Sequence, residues 1–301
     1  MERIKFYSLI KIFLVCFLFS FAVSAQTNKP LFKDSLKLIS SQFKFTEGAS
    51  VDKKGNVFFS DQPSNTIWKY SVDGNLSLFT DKSGRANGTY FDKKGNLLAC
   101  ADENFQILSF DRNGISKSIY KNPKENDLNG PNDLWIDKKG GIYFTDPYYQ
   151  RNYWTRKTPA IVGEKVYYIP NKEESPIKIV EEGLEKPNGI VGTPDGKLLY
   201  VADAKAGKIY QYSIQPNGTL TNKVLLINQG SDGMTLDEKG NIYLTGNGVT
   251  IFNKEGVQIE HINVSKTRTS NLCFAGKNRN ILFITAGSSI YILPMLVKGV
   301  E

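Results

Sequence analysis

A short phrase that returns along the chain restricts its fold more than any other feature. Asp-Lys-Lys-Gly stands at 52–55, 92–95 and 137–140, with variants at Pro194-Asp195-Gly196-Lys197, Asp237-Glu238-Lys239-Gly240 and Lys277-Asn278-Arg279-Asn280. A β-rich run follows each (NVFFSD, NLLACAD, GIYFTDP, LLYVAD, NIYLTG, ILFITA), and then a second (TIWKYSV, QILSFD, KVYYIP, KIYQYSI, VTIFN, SIYILP). Most units add a polar-alternating strand, at residues 76–80, 116–120, 177–181, 223–227 and 258–264. The glycines at 55, 95, 140, 196 and 240 are spaced by 40, 45, 56 and 44 residues. Four short strands in about 40–45 residues is the period of a β-propeller blade. Six such units predict an all-β, six-bladed propeller with four-stranded antiparallel blades. The sixth unit has three strands up to Leu293-Pro294, and residues 36–39 are expected to supply its fourth and close the ring. A β-sandwich would account for the strands but not for the repeated phrase.

A constant offset accompanies the repeat. Eight residues before each glycine, or before Arg279 in its place, stands Glu47, Asn87, Asn132, Asn188, Asp232 or Asn271. The first strand of a propeller blade lines the central channel, so these six residues are expected to form one ring around the axis. Carboxylates and amide carbonyls are hard ligands that suit Ca²⁺, Mg²⁺ or Mn²⁺ better than structural zinc. Asn-Gly and Asp-Gly also mark turns, which accounts for Gly48, Gly88, Gly189 and Gly233 but not for a Glu in the first slot. The lone histidine, His261, falls in the outermost strand of the fifth unit, which excludes Ser-His-Asp, Cys-His and His-ligated zinc chemistry. Hydrolysis by such a chain needs a metal as Lewis acid and a carboxylate as base.

Residues 1–25 read as a signal peptide. Arg3, Lys5 and Lys11 precede an apolar run at 12–23, and Val23-Ser24-Ala25 offers a cleavage site. Cys16 lies inside the apolar run, after Val15, which excludes a lipoprotein signal. Residues 26–301 are then a single exported domain, periplasmic or secreted, with no stable membrane insertion after cleavage; a retained anchor is the alternative. A 40% hydrophobic content excludes disorder, and three cysteines exclude a disulfide scaffold. Cys100 and Cys273 sit in apolar runs and read as buried thiols. The lysines are scattered over turns, so nucleic acid is not an expected partner. The third unit carries a long insertion at 147–164, rich in aromatic and basic residues, of the kind that recognises ligands on a rigid scaffold.

Taken together, Thr46-Glu47-Gly48, Asn129-Gly130-Pro131-Asn132-Asp133-Leu134, Tyr143-Phe144-Thr145-Asp146-Pro147, Pro187-Asn188-Gly189, Ser231-Asp232-Gly233-Met234 and Ile284-Thr285-Ala286-Gly287 resemble the gluconolactonase and senescence-marker-protein (regucalcin-like) family over residues 36–300. The resemblance implies a metal-dependent hydrolase that opens sugar lactones, with one divalent cation: Ca²⁺ first, with Mg²⁺, Mn²⁺ or Zn²⁺ as the others. By motif, Glu47, Asn188 and Asp232 correspond to metal ligands, Asn132 to a ligand or substrate-contacting amide, and Asp232 to the proposed catalytic base. The cation would polarise the lactone carbonyl and activate water. The regucalcin branch has a substrate-contacting Arg two residues before its third-blade Asn, where this chain has Gly130. Arg85, Arg151 and Arg156 are candidates to replace it. Expected substrate contacts are Asn87, Asn132 and Asn271 of the ring, with Tyr148 and Arg156 of the insertion. A non-catalytic binding propeller and a metal-dependent esterase or phosphotriesterase on the same site are the competing functions.

Overall fold

The computed structural model describes residues 30–32, 34–121, 128–171, 176–264 and 267–301. The expected signal peptide lies outside these residues. Among the described residues the only helical element is one 3-10 turn, Gln62–Ser64; everything else regular is strand.

Six four-stranded antiparallel sheets follow one another along the chain. The first holds β2 (Thr46–Val51), β3 (Val57–Asp61), β4 (Thr66–Tyr70) and β5 (Leu76–Thr80), and the second β6 (Ala86–Phe91), β7 (Leu97–Ala101), β8 (Gln106–Phe110) and β9 (Ser116–Lys121). The third holds β10 (Leu134–Ile136), β11 (Ile142–Asp146), β12 (Glu164–Ile169) and β13 (Lys178–Leu184). The fourth holds β14 (Pro187–Gly192), β15 (Leu198–Asp203), β16 (Lys208–Ile214) and β17 (Leu220–Ile227). The fifth holds β18 (Met234–Leu236), β19 (Ile242–Gly246), β20 (Gly248–Phe252) and β21 (Gln258–Ile262). In the last, β22 (Thr269–Ala275), β23 (Ile281–Ala286) and β24 (Ser289–Pro294) are joined at the outer edge by β1 (Lys37–Ser40), with Lys37 opposite Ile292. The sheets form a six-bladed propeller.

The repeated phrase is a turn with a definite job. Asp52 Oδ1 accepts the backbone N–H groups of Lys54 at 2.8 Å and Asn56 at 2.9 Å, while Gly55 N–H bonds back to the Asp52 carbonyl at 3.0 Å. Gly55 has φ +93°, a conformation that glycine reaches without strain. Asp92, Asp137 and Asp237 repeat the pattern, each turning the innermost strand of a blade into the second. In the last blade Arg279 takes the glycine's left-handed conformation at φ 56°.

The core lies between neighbouring blades. Phe58 meets Phe91 at 5.1 Å between the first two blades, Phe59 meets Phe283 at 5.5 Å across the junction of the first and last, and Tyr243 meets Phe274 edge-on at 5.2 Å between the fifth and sixth. Cys100 and Cys273 are both free and buried in this packing. No helix among the described residues is long and apolar enough to cross a membrane.

Candidate active site

The innermost strands are not regular. Their register slips between Glu47 and Ser50, Ala86 and Thr89, Pro187 and Ile190, and Thr269 and Asn271. These are β-bulges, which bend a strand and re-aim a side chain, and Glu47, Asn87, Asn188 and Asn271 all sit at them. In the third and fifth blades the inner strand begins two residues after Asn132 and Asp232. The Glu-Gly and Asn-Gly pairs at 47–48, 87–88 and 188–189 thus mark bulges, whereas Asp232-Gly233 leads into a regularly paired strand.

The glycines that follow these ring residues let the inner strands approach one another. Gly48 has φ +53°, and a Cβ there would lie 2.0 Å from the Asn87 carbonyl oxygen. Side chains at 88, 189 and 233 would likewise strike Asp133, Asp232 and Asn271 of the next blade. Gly88 N–H donates to the Asn132 carbonyl and Gly233 N–H to that of Ser270, each at 2.7 Å. Blade is stitched to blade at the level of the ring.

Glu47, Asn87, Asn132, Asn188 and Asp232 line one cavity of about 360 Å³. Asn271 is buried behind it, its amide against Glu47 and its Oδ1 accepting Leu272 N–H at 2.8 Å. The rest of the wall includes Gln62, Tyr149, Arg151, Lys186, Lys205 and Arg268. Tyr149 and Arg151 come from the 147–164 insertion, whereas Tyr148 and Arg156 of the same segment do not reach the cavity. Tyr148 hydroxyl bonds to Gln150. The Arg156 guanidinium stacks 3.9 Å from the Phe105 ring centroid and donates to the carbonyls of Leu128 and Asn129. Both terminal nitrogens and its π face are thus used in fastening the loop. At Gly130 a Cβ would lie 2.8 Å from the Trp154 indole, so this position has no room for a side chain. Arg85 is taken up by the Pro63 carbonyl and the Tyr153 ring. His261, on the outermost strand β21, hydrogen-bonds Thr250 of β20 and does not line the cavity.

Charge is concentrated where water is scarce. Glu47 is only 4% exposed. Burial pushes its carboxyl well above the usual carboxylate range, and the charges of Asp232 and Asp133 push it further, against the Gly48 N–H and the Asn271 amide. Burial also raises Asp232, opposed by the positive charge of Arg268, the Asn188 amide and Arg151. Neither carboxylate has an ion pair within 4 Å among the described residues. Asn188 Nδ2 donates to the Tyr149 hydroxyl at 3.1 Å, which fixes the amide and leaves its carbonyl oxygen for another partner. Asp133, the residue after Asn132, is a third buried carboxyl, raised to about 7 chiefly by burial.

No three His, Cys, Asp or Glu side chains converge at metal-binding spacing among the described residues. The ring supplies two carboxylates instead, with amide oxygens beside them. Two buried, mutually repelling carboxylates and neutral oxygen donors form a set that fits one hard divalent cation.

Comparison with known proteins agrees with the geometry. Residues 45–288 match the family model described as SMP-30/Gluconolactonase/LRE-like region. A gluconolactonase of Zymomonas mobilis is 29% identical over 286 residues, covering 85% of this chain and 80% of the relative. Lactonase drp35 of Staphylococcus aureus is 27% identical over 283 residues, covering 84% of each chain. The solved structure of a gluconolactonase from Xanthomonas campestris superposes with a TM-score of 0.80 at 24% identity, covering 90% of this chain and 96% of the other. The chain belongs to the SMP-30/gluconolactonase/LRE-like family.

Proposed function

We propose that this protein is a metal-dependent lactonase that opens sugar lactones, exported by its N-terminal segment. The observation that carries the reading is the meeting of Glu47, Asn87, Asn132, Asn188 and Asp232 at one cavity, from blades far apart in sequence. Relatives named gluconolactonase and lactonase supply the substrate class.

Glu47, Asn188 and Asp232 would hold the cation, with Asn132 beside them. A bound divalent ion supplies Lewis acidity toward a carbonyl oxygen and lowers the pKa of water. Tyr149 holds the Asn188 amide by its nitrogen, fixing the side chain beside Asp232. Asn87 and Asn132 present amides that suit sugar hydroxyls. Asp232 takes the proton of the attacking water and returns it to the ring oxygen as the lactone C–O bond breaks, so the carboxylate is regenerated.

The test is an assay of chelator-stripped protein against a panel of aldonolactones, before and after adding Ca²⁺, Mg²⁺, Mn²⁺ or Zn²⁺. The proposal expects hydrolysis above the uncatalysed rate that disappears on stripping and returns with a cation. Turnover indifferent to the chelator would remove the metal; no turnover with any cation would remove the lactonase. Export is checked by sequencing the N-terminus of the secreted protein, expected at Gln26.

A further inference from the structure

The wall of the cavity carries cationic side chains that the ring itself does not pair. Arg151, Lys186, Lys205 and Arg268 all line it. Lys186 pairs with Glu164 at 3.1 Å and Lys205 with Glu185 at 3.2 Å, so these two are largely offset. Arg268 is exposed and has no ion pair or hydrogen bond to another described residue. Arg151 donates only Nε, to Asp102 Oδ2 at 2.8 Å, which leaves both terminal nitrogens unused among the described residues. Asp102 offsets the charge of Arg151 as well, so once a divalent cation had cancelled Glu47 and Asp232 the charge of Arg268 would face the cavity without an anion, with the free donors of Arg151 on the same wall.

The placing of Arg151 is itself a built feature. Asp61, Asp146 and Asp203, which end the second strands of three other blades, each clamp backbone N–H groups of the entering chain. Asp102, just beyond β7, receives side chains instead: Arg151 Nε, the Tyr153 hydroxyl at 2.5 Å and Gln62 Nε2 at 2.9 Å. Its backbone carbonyl accepts the Trp154 indole N–H at 2.8 Å. A buried aspartate of the second blade thus fastens the third-blade insertion and leaves the far side of the Arg151 fork at the cavity.

We propose that the preferred substrate is a lactone bearing a second, anionic group, a carboxylate or a phosphate, bound by Arg151 and Arg268, with Asp102 as the positioning residue for Arg151. Guanidinium groups match both anions in geometry, and charge-assisted hydrogen bonds are stronger than those a neutral hydroxyl would accept. This rests on the lactonase reading and narrows it.

The test compares kcat/KM of the cation-loaded full-length protein on three probes: D-glucono-1,5-lactone, the carboxylate-bearing D-glucaro-1,4-lactone, and 6-phospho-D-glucono-1,5-lactone. At least one anionic probe should exceed the neutral one by about tenfold or more, and the better of the two identifies the anion. Arg268→Met and Arg151→Met should each cut the anionic-to-neutral ratio by about fivefold or more, through KM. Added salt should shrink the ratio as well, because Arg268 is exposed. Asp102→Asn should raise KM for the anionic probe with kcat near wild type, and should lower the melting temperature because it breaks a buried ion pair; a change in kcat alone would overturn its positioning role. Equal or better turnover of the neutral probe would overturn the inference and leave the lactonase standing. A ratio untouched by both arginine variants, with only cation affinity altered, would overturn it too. Hydrolysis of none of the three would take down the lactonase reading beneath it.

Discussion

At the residue scale the decisive contrast is between arginines that look alike in sequence. Arg151 and Arg156 lie five positions apart in one insertion, yet only Arg151 reaches the cavity. Arg156 is held by the Phe105 ring and by the carbonyls of Leu128 and Asn129; Arg151 is held by Asp102 from another blade. Neither set of contacts follows the repeat, so no periodicity could announce it. The ring residues were legible because the repeat fixes their place, whereas the wall residues Lys186, Lys205 and Arg268 carry no shared offset. Two substitutions test the division of labour at this scale. Asp232→Asn should lower kcat by about 10²-fold or more, the usual range for a lost general base, with circular dichroism unchanged. Tyr149→Phe frees the Asn188 amide, and a lost hydrogen bond of about 1 kcal/mol predicts roughly fivefold weaker cation binding by calorimetry. Unchanged affinity in that variant would remove Tyr149 from its role.

At the scale of the element, the turn and the bulge explain why the repeat reads so clearly. Each turn Asp uses its carboxylate on backbone N–H groups, and the positive-φ glycine three residues later closes the turn. These are local demands, visible in any one unit. The bulge is different, because the glycine after a ring residue is needed for the approach of the next blade, a long-range demand that sequence shows only as an Asn-Gly or Asp-Gly pair. Two glycines separate the local cost from the packing cost. Gly95 has φ +88° with open space around its missing side chain, so Gly95→Ala should cost only the dihedral strain, about 1–2 kcal/mol. Gly48 combines φ +53° with a neighbouring carbonyl 2.0 Å from the new atom, so Gly48→Ala should cost clearly more, about 3 kcal/mol or above. Chemical denaturation of both variants measures the difference; equal losses would contradict the close approach at the hub.

The whole molecule holds carboxyl groups in places that favour their neutral form. Asp146, clamped by Asn129 and Gly130 N–H yet deeply buried, is raised to about 7 by that burial; Asp133 is raised likewise, and so are Glu47 and Asp232. A group whose folded pKa lies above its unfolded value binds more protons when folded, so stability falls as pH rises between the two values. The melting temperature of chelated protein should therefore decline from about pH 4 to pH 7. Saturating divalent cation should flatten the part due to Glu47 and Asp232 and raise the melting point most at neutral pH. A melting temperature that climbs with pH over this window in the chelated protein would contradict the burial of these groups as acids.

Titration of a divalent cation into the metal-stripped full-length chain, run beside Glu47→Gln and Asp232→Asn, tests the meeting of the ring side chains most directly. One ion bound per chain, with affinity falling at least tenfold in each variant, is the predicted result. No saturable binding, or binding that ignores both substitutions, would contradict it.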